Sequence, residues 1–201
     1  MKMTYLMSLV ILLVANSQVY GQGNPNKETV DVGGQGGMGD PVAIDGGTLI
    51  RKKNGITISI SMPTPMSGTY DYPDLPGQPT AVPGHPEVFT GWAFVFNFPA
   101  LCSLPCDGND IGVGTDAQGG VYNIAGHVSG GGNLQMVGHV STGETPFGGA
   151  AHAPLHNPLG AEVHVAIAPH GMLDPSIMPA QIKTPLGNPS FWWVAFFIPA
   201  P

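Results

Sequence analysis

The sequence has little charge, and most of that charge is negative. Charged residues make up 9% of the 201 residues, and 6 Lys and Arg stand against 13 Asp and Glu, which gives a net charge of −7. A clustered basic surface is the first requirement for binding nucleic acid, and basic clusters also attract proteins to anionic lipid. Since such a surface is lacking, we expect no nucleic-acid partner and no electrostatic binding to membranes.

Motifs of nucleophilic catalysis and of nucleotide binding are also missing. The chain contains no Gly-x-Ser-x-Gly, no His-Glu-x-x-His and no P-loop, and no Gly-x-Gly-x-x-Gly leads into a helix. No long stretch shows the apolar period of an amphipathic helix. We therefore predict an all-β protein, and the motifs indicate no catalytic activity.

Cysteine is nearly absent. The chain has 2 cysteines, Cys102 and Cys106, which lie between strand-like segments. In an oxidising compartment, two cysteines at this spacing predict a disulfide that closes the loop Cys-Ser-Leu-Pro-Cys. A metal-binding pair is the alternative, but Cys-x3-Cys without a second cysteine pair is a weak signal for it.

The N-terminus has the pattern of a secretory signal peptide. Lys2 supplies the positive charge, Leu6–Ala15 the apolar region, and Val19–Gly21 a cleavage site with a small residue. This apolar run is far shorter than the roughly 20 residues that a membrane-spanning helix needs. We expect residues 1–21 to be removed. The mature chain is then predicted to have no transmembrane helix and to be secreted or periplasmic.

Glycine and proline are abundant, with 30 Gly and 21 Pro, and the hydrophobic fraction is 42%. Disordered chains usually have few apolar residues and many charges, so we interpret Gly and Pro as turn residues between short strands. A flexible lead-in is predicted over 22–47, followed by a single β-rich domain over 48–201. The expected fold is an antiparallel β-sandwich or a partly closed barrel with long Gly/Pro-rich loops.

Alternating apolar and polar side chains mark the strands. We predict strands over 48–53, 56–62, 89–98, 121–128, 134–141, 161–168 and 191–198. The first two flank Asn54-Gly55, the dipeptide favoured in two-residue type I′ hairpins. In the second strand Ile56, Ile58 and Ile60 share the face that we expect to be buried.

Proline marks several of the connections. Pro169 is expected to end the strand 161–168, and Asp174-Pro175 is a plausible start for one short helix. The segment 63–88 is rich in proline and has no apolar pattern. A loop of this length within a compact domain is often functional or mobile.

The 7 histidines are the main candidates for chemistry, since other charged groups are few. Glu162 and His164 lie two residues apart on a predicted strand and therefore share a face. A carboxylate beside an imidazole suits a metal site or an acid–base pair. His170 follows this strand and could turn back toward the pair. The alternative is a polar outer face on which Glu162 orients a neutral His164.

His127 and His139 lie on successive predicted strands. If Val128 pairs with Leu134, the two imidazoles are roughly 13 Å apart, which is too far for one ion. A register shifted by two residues brings them to roughly 7 Å. The predicted metal ligands are therefore Glu162, His164, His127, His139 and His170. A divalent zinc, copper or calcium ion is the candidate cofactor.

His152 and His156 have helical spacing, but Pro154 lies between them in a Gly/Pro/Ala-rich segment. Spacing of this kind indicates little without a helix, so a metal role for this pair is a minor expectation.

Two further segments contain metal-binding residue types. Met62 and Met66 carry thioethers, which favour Cu(I), although loop packing is the commoner role of methionine. The segment 107–110 resembles part of an oxygen-rich calcium loop, but the Gly and Glu of the full EF-hand spacing are missing. A plain acidic turn is the alternative for this segment.

Three segments carry a resemblance to known proteins. Gly126-His127-Val128, then 157–164 with the sequence NPLGAEVH, then His170-Gly171 resemble a family of uncharacterised secreted bacterial proteins. The likeness spans roughly 47–171 and implies a signal peptide and a tryptophan-bearing strand before a cysteine loop. The strand with His164 faintly resembles CHRD domains, which are extracellular β modules found in chordin. Neither resemblance implies an enzymatic activity.

Two functions from different classes follow from these patterns. The first is a secreted, non-catalytic β module that binds an unknown extracellular or periplasmic ligand through its long loops. The second is an exported metal-binding protein or metalloenzyme that uses the predicted His/Glu cluster. A hydrolase or isomerase that uses Glu162 with His164 has only the adjacency of those two residues behind it.

Overall fold

The protein is an antiparallel β-sandwich. A computed structural model describes residues 26–70, 84–102, 105–183 and 189–199. Two four-stranded sheets pack together, and neither the sheets nor their edges close into a barrel. The predicted all-β fold is confirmed in its sandwich form. The predicted signal peptide, residues 1–21, and the middle of the proline-rich segment lie outside the described residues.

The chain passes between the two sheets three times along its length. Their bounds are β1 (Lys27–Val32), β2 (Ala43–Lys52), β3 (Gly55–Pro63), β4 (Glu87–Phe96), β5 (Gly119–Val128), β6 (Asn133–Ser141), β7 (Glu162–Met172) and β8 (Trp193–Phe197). The first sheet has the order β1-β2-β3-β6 and the second the order β5-β4-β7-β8. The predicted helix after Asp174-Pro175 appears as α1, a single turn over Met178–Gln181.

The main core lies between the inner faces of the two sheets. In β3 the side chains of Ile56, Ile58 and Ile60 are buried, whereas Thr57 and Ser59 point to the outer face. This confirms the two-faced strand that the alternation predicts. The other large members of this core are Val32, Leu49, Phe89, Val95, Leu134, Leu155, Val163, Ile167, Trp193 and Phe197.

The strand β4 is buried on both faces, as expected for a core strand. Its inner face contributes to the main core, and its outer face carries Trp92, Phe94 and Phe96. Phe147 packs edge-on against Trp92 with ring centroids 5.2 Å apart, and Trp192 stacks on Phe94 at 5.8 Å. Segments outside the sheet therefore cover the outer face of β4.

The turn between β2 and β3 differs from the prediction by one residue. Lys52 pairs with Gly55, so the two turn residues are Lys53 and Asn54 rather than Asn54 and Gly55. Neither Lys53 nor Asn54 has a positive φ, so the turn is not the type I′ turn that the dipeptide favours. Burial of the isoleucine face decides this register, because a slip of one residue would expose it.

The strands β5 and β6 do not form the hairpin that their short connection suggests. Strand β5 pairs with β4 in one sheet, and β6 pairs with β3 in the other. A Cβ on Gly138 would lie 2.5 Å from the Cβ of Ile124, so β6 passes directly over β5. Both registers considered for His127 and His139 are therefore wrong, and the connection at Ser129–Asn133 crosses between the sheets.

Strands occupy positions for which none was predicted, and β2 already begins at Ala43, within the predicted lead-in. Strand β1 lies inside the predicted lead-in and pairs with β2, and its Val32 is fully buried. No apolar pattern in the sequence marks β1 as a strand, because only two valines interrupt its polar residues. Strand β7 continues through Pro169 to Met172. Strand β8 pairs with β7 only as far as Ile167, so one side of β7 is unpaired at Pro169. Proline is tolerated at such positions because the ladder needs no N–H group there.

Asn97, directly after β4, holds the segment that leads to β7. Its amide nitrogen donates to the carbonyl oxygens of Gln118 at 2.8 Å and Pro154 at 2.9 Å. Its amide oxygen accepts from the backbone N–H groups of His156 at 2.6 Å and Asn157 at 3.1 Å. The buried amide therefore has partners for both of its polar atoms, and it connects two loops to the sheet.

No helix among the described residues is long and apolar enough to cross a membrane.

Candidate functional site

The five predicted metal ligands do not converge on one point. Glu162 and His164 are neighbours on the outer face of β7. His170 follows Glu162 by eight residues on the same strand, which separates the two by roughly 26 Å at the rise of a strand. His139 lies on β6 in the other sheet, and His127 lies on β5 opposite Phe89.

One cluster of three metal-ligating residue types exists within the described ranges, and it contains none of the predicted ligands. Its members are Cys102, Cys106 and Asp110. Both sulfur atoms of this cluster belong to the Cys102–Cys106 disulfide, which confirms the predicted bond. The disulfide leaves no thiolate at this position to bind a metal. Metal binding by the predicted ligands stays a prediction.

Glu162 and His164 form a close pair between aromatic rings. His164 Nε2 and Glu162 Oε1 are 2.6 Å apart, and the two side chains are 15% and 9% exposed. The His164 ring packs edge-on against Phe96 at 5.1 Å and Phe196 at 4.7 Å. The carboxylate and the two rings therefore hold the imidazole in one orientation. In metal sites a carboxylate often holds the second ring nitrogen of a histidine ligand in this way.

His170 is buried in a polar chain on the outer face of the second sheet. It is 1% exposed, and its Nε2 lies 2.9 Å from Thr90 Oγ1, which accepts a hydrogen bond from Trp92 Nε1 at 2.8 Å. Burial lowers the pKa of His170 to about 4, and the nearby Gln181 acts in the opposite direction. His170 is therefore neutral at physiological pH.

The two remaining predicted ligands are isolated from this face. His139 is exposed on the outer face of the first sheet, and its Nδ1 lies 3.0 Å from Thr57 Oγ1 on the neighbouring strand. The thickness of the sandwich separates it from Glu162. His127 is half-buried near the end of β5. Neither histidine has a metal-ligating neighbour set of its own among the described residues.

The weaker candidates are also dispersed. Met62 is 2% exposed and belongs to the main core, whereas Met66 is 71% exposed in the loop that follows. Two carboxylates of the predicted calcium loop accept backbone N–H groups in a capping box around the short turn Gly108–Asp110. This use of the carboxylates agrees with a plain acidic turn at 107–110, the alternative to a calcium loop.

Two connections at one end of the sandwich, β3–β4 and β5–β6, form an open groove of about 850 Å³. Segments 64–69, 84–86 and 129–132 line it. Gly130, Gly131 and Gly132 face open space, because a Cβ on any of them would meet no atom within 4 Å. The groove is thus bordered by serine and threonine hydroxyls and by glycine backbone that a ligand can approach closely. The sequence indicated these loops separately but not that they meet.

Buried polar groups without hydrogen-bond partners are concentrated at the same end. Of the six such side-chain atoms among the described residues, four belong to Thr64, Tyr70 and Glu87. Thr64 lines the groove. Glu87 is 1% exposed and comes directly after Pro86, which also lines the groove. No motif in the sequence pointed to Glu87, because its role depends on burial alone.

Glu87 is held in place through its backbone. Its N–H donates to Ser129 Oγ at 2.7 Å, and its carbonyl oxygen accepts from the Ser129 N–H at 2.7 Å. Burial raises the pKa of the Glu87 carboxyl, and the adjacent Ser67 hydroxyl acts in the opposite direction. The Ser67 hydroxyl also donates to the carbonyl oxygen of His85 at 2.9 Å.

The geometry therefore offers three separate features: the Glu162–His164 pair, the buried His170 and the groove at one end of the sandwich. The resemblances to secreted bacterial proteins and to CHRD domains remain expectations from the sequence. Comparisons with protein-family models, with curated proteins and with solved structures found no match to this chain.

Proposed function

We propose that the mature chain is a secreted, non-catalytic β module that binds a polar ligand in the groove at one end of the sandwich. The observation that carries this proposal is the convergence of three loop segments, 64–69, 84–86 and 129–132, on one open groove. Loops that a rigid sandwich positions are the usual site of binding in this architecture.

The composition of the groove indicates the chemistry of its ligand. Thr64, Ser67, Thr69 and Ser129 line it, and a hydroxyl group can both donate and accept a hydrogen bond. No Lys or Arg is among its lining residues, and the whole chain carries a net charge of −7. Pro65, Met66 and Pro86 line the groove as well. A neutral ligand with both apolar surface and hydroxyl or amide groups, such as an oligosaccharide or an extended peptide, therefore fits it better than an anion.

Gly131→Trp tests this proposal, since it places a large side chain in the groove without a clash at Cβ. We expect the wild-type chain to bind a subset of an oligosaccharide and peptide array, and Gly131→Trp to lose at least 90% of that signal. Gly114→Trp is the matched control, because Gly114 also faces open space and lies outside the groove. Equal array signals for both variants, or no signal for the wild type, would contradict the proposal.

A second candidate function, metal binding, is supported by the 2.6 Å contact between Glu162 and His164. If the carboxylate orients the imidazole for a Zn²⁺ or Cu²⁺ ion, His164→Ala abolishes binding. Glu162→Gln then weakens it by about 10-fold to 100-fold, the usual effect of losing an orienting carboxylate. Titration calorimetry of the metal-depleted mature chain measures both effects. His156→Ala, at an exposed histidine, is the control, and unchanged affinity in His164→Ala rules the site out.

A further inference from the structure

Strand β6 is an edge strand of the first sheet and pairs on one side only, with β3. Backbone groups of alternate residues point to opposite sides of a strand. Directly after β6, the N–H of Thr142 donates to the Asn54 carbonyl oxygen at 2.9 Å. Directly before it, the Gly132 carbonyl oxygen accepts from the N–H of Thr64 at 3.1 Å. Even-numbered residues therefore face β3, and the residues whose N–H and C=O groups point away from the sheet are Asn133, Gln135, Val137 and His139.

These outward groups form an open edge. Within the described part of the chain, no hydrogen bond reaches the outward N–H and C=O groups of these four residues. The next outward N–H, that of Ser141, donates to Glu144 Oε2 at 2.9 Å, so the open edge ends there. A row of unpaired backbone groups along an edge strand is a template for pairing with another chain.

The other three edge strands carry features that oppose such pairing. Strand β1 contains three charged residues and a register shift. Strand β8 has five residues, and its Val194 carbonyl oxygen accepts from the Gly33 N–H at 2.8 Å. On β5 the Val121 carbonyl oxygen accepts from the Phe147 N–H at 2.7 Å. Strand β6 has nine residues, no Asp, Glu, Lys, Arg or Pro, and an uninterrupted register with β3. It therefore lacks the usual protection of an edge.

The open edge is complementary to itself. Two copies of β6 can run antiparallel with Asn133 opposite His139 and Gln135 opposite Val137. Every outward residue of one copy then faces an outward residue of the other, and each opposed pair exchanges two hydrogen bonds. The side chain of Val137, which is 65% exposed, packs against the methylene groups of Gln135. Ser141, whose N–H is already bonded, lies outside the paired part.

Charge also permits a second copy at this edge. Each chain carries a net charge of −7, which opposes self-association in general. Because β6 contains no Asp, Glu, Lys or Arg, the antiparallel arrangement places no like charges opposite each other along the strand pair.

We propose that two copies of the chain form a dimer by antiparallel pairing of their β6 strands, which joins the two first sheets into one continuous sheet. The contact is a single strand edge, and interfaces at the small end of the protein–protein range are weak. Each groove adjoins the start of its own β6, so the dimer presents two grooves. The dimer goes beyond the proposed binding of a polar ligand and does not depend on it.

Sedimentation equilibrium of the purified chain measures the association. At about 0.5 mM chain, we expect a weight-average mass at least about 1.5 times that of the monomer, which corresponds to a Kd of about 0.5 mM or less. Dilution is expected to lower the mass toward that of the monomer.

Val137→Pro tests the role of the β6 edge. It removes one outward N–H and places the proline ring where the partner strand would lie. The sheet itself loses no hydrogen bond, because proline is tolerated where the N–H side of an edge strand faces solvent. We expect the Kd of the dimer to rise at least about tenfold, since the symmetric contact loses two hydrogen bonds. Val137→Thr is the matched control: it keeps the N–H and the β-branched shape, and we expect it to associate as the wild type does.

Amide hydrogen exchange of the wild-type chain gives a second measurement that needs no variant. Raising the chain concentration is expected to slow exchange at the outward amides of Gln135, Val137 and His139. The amide of Gly114, which faces open space and lies far from β6 in sequence, is expected to keep its exchange rate.

Three results would overturn the inference. The wild type could remain monomeric at about 0.5 mM, even if peptides of an array bind along β6. Val137→Pro could associate as strongly as the wild type, or concentration could slow exchange only at amides outside β6. Failure of the polar-ligand proposal is a separate result, since it is read from array binding by Gly131→Trp and not from the mass of the chain.

Discussion

Asn97→Ala is expected to lower the free energy of unfolding by about 4 kcal/mol. The substitution removes four side-chain hydrogen bonds, to two carbonyl oxygens and two N–H groups. Each such bond contributes about 1 kcal/mol net, and a buried group left without a partner costs about 1 to 3 kcal/mol. A loss of this size is a large part of the roughly 5 to 15 kcal/mol that stabilises a typical domain.

Urea denaturation of the purified chain measures this effect, and two further variants show whether it comes from the hydrogen bonds of Asn97. Asn97→Asp preserves side-chain volume and the oxygen that accepts from His156 and Asn157. It removes the N–H groups that donate to Gln118 and Pro154, so we expect it to be severely destabilised too. Asn123→Ala is the control, because exposed Asn123 makes one side-chain hydrogen bond, to the Ile182 carbonyl oxygen at 3.2 Å. A loss below about 1 kcal/mol in Asn97→Ala would refute the structural role of Asn97.

The stability of the domain is expected to fall as the pH decreases from about 6.5 to about 4, and His170 is the main cause. Burial lowers the pKa of His170 from 6.5 in the unfolded chain to about 4 in the folded protein. Over this range the unfolded chain takes up a proton that the folded chain does not, so unfolding becomes easier. The contribution is fully present above pH 6.5, and up to about 3 kcal/mol of it is lost by pH 4.

Denaturation at a series of pH values measures how steeply the free energy of unfolding changes with pH. The variant His170→Gln isolates the contribution of His170 to that slope. Gln cannot titrate, so the variant is expected to show a flatter profile between pH 6.5 and 4. His139→Gln changes an exposed histidine and should keep the wild-type slope. The raised pKa of Glu87 acts in the opposite direction, because protonation of this buried carboxyl favours the folded state as the pH falls. Parallel profiles for wild type and His170→Gln would refute the assignment.

The alternation of side chains predicted much of the fold correctly. Ile56, Ile58 and Ile60 indicated which face of β3 is buried, and the structure places all three in the core. Such predictions succeed because the face of a strand depends only on residues two positions apart in sequence. The same local rule predicted that Glu162 and His164 are neighbours, and the contact of 2.6 Å between them agrees with it.

Pairing between strands was harder to predict than the strands themselves. The five residues 129–133 suggested a hairpin, but β5 and β6 belong to different sheets. A short Gly-rich connection permits both outcomes, and the partner of each strand is chosen by the apolar surface that it must bury. The predicted five-residue metal cluster depended on strand pairing, and the structure disperses its members for this reason.

Burial of single polar side chains was not predictable from the local sequence. Asn97, Glu87 and His170 stand in segments that give no sign of enclosure, and the exposures of all three are 1% or less. The surroundings of each come from several distant parts of the chain. Asn97, for example, bonds to residues 21, 57, 59 and 60 positions away.

The sequence by itself determined that the chain is rich in strands, which strand faces are apolar, and that Cys102 and Cys106 lie close enough to form a disulfide. These properties follow from interactions between residues that are near each other along the chain. The tertiary structure alone decided which strands pair, which polar groups are enclosed, and that the β3–β4 and β5–β6 connections meet at one groove. Those properties arise when two sheets bury their apolar faces against each other, and this packing joins segments that no local pattern relates.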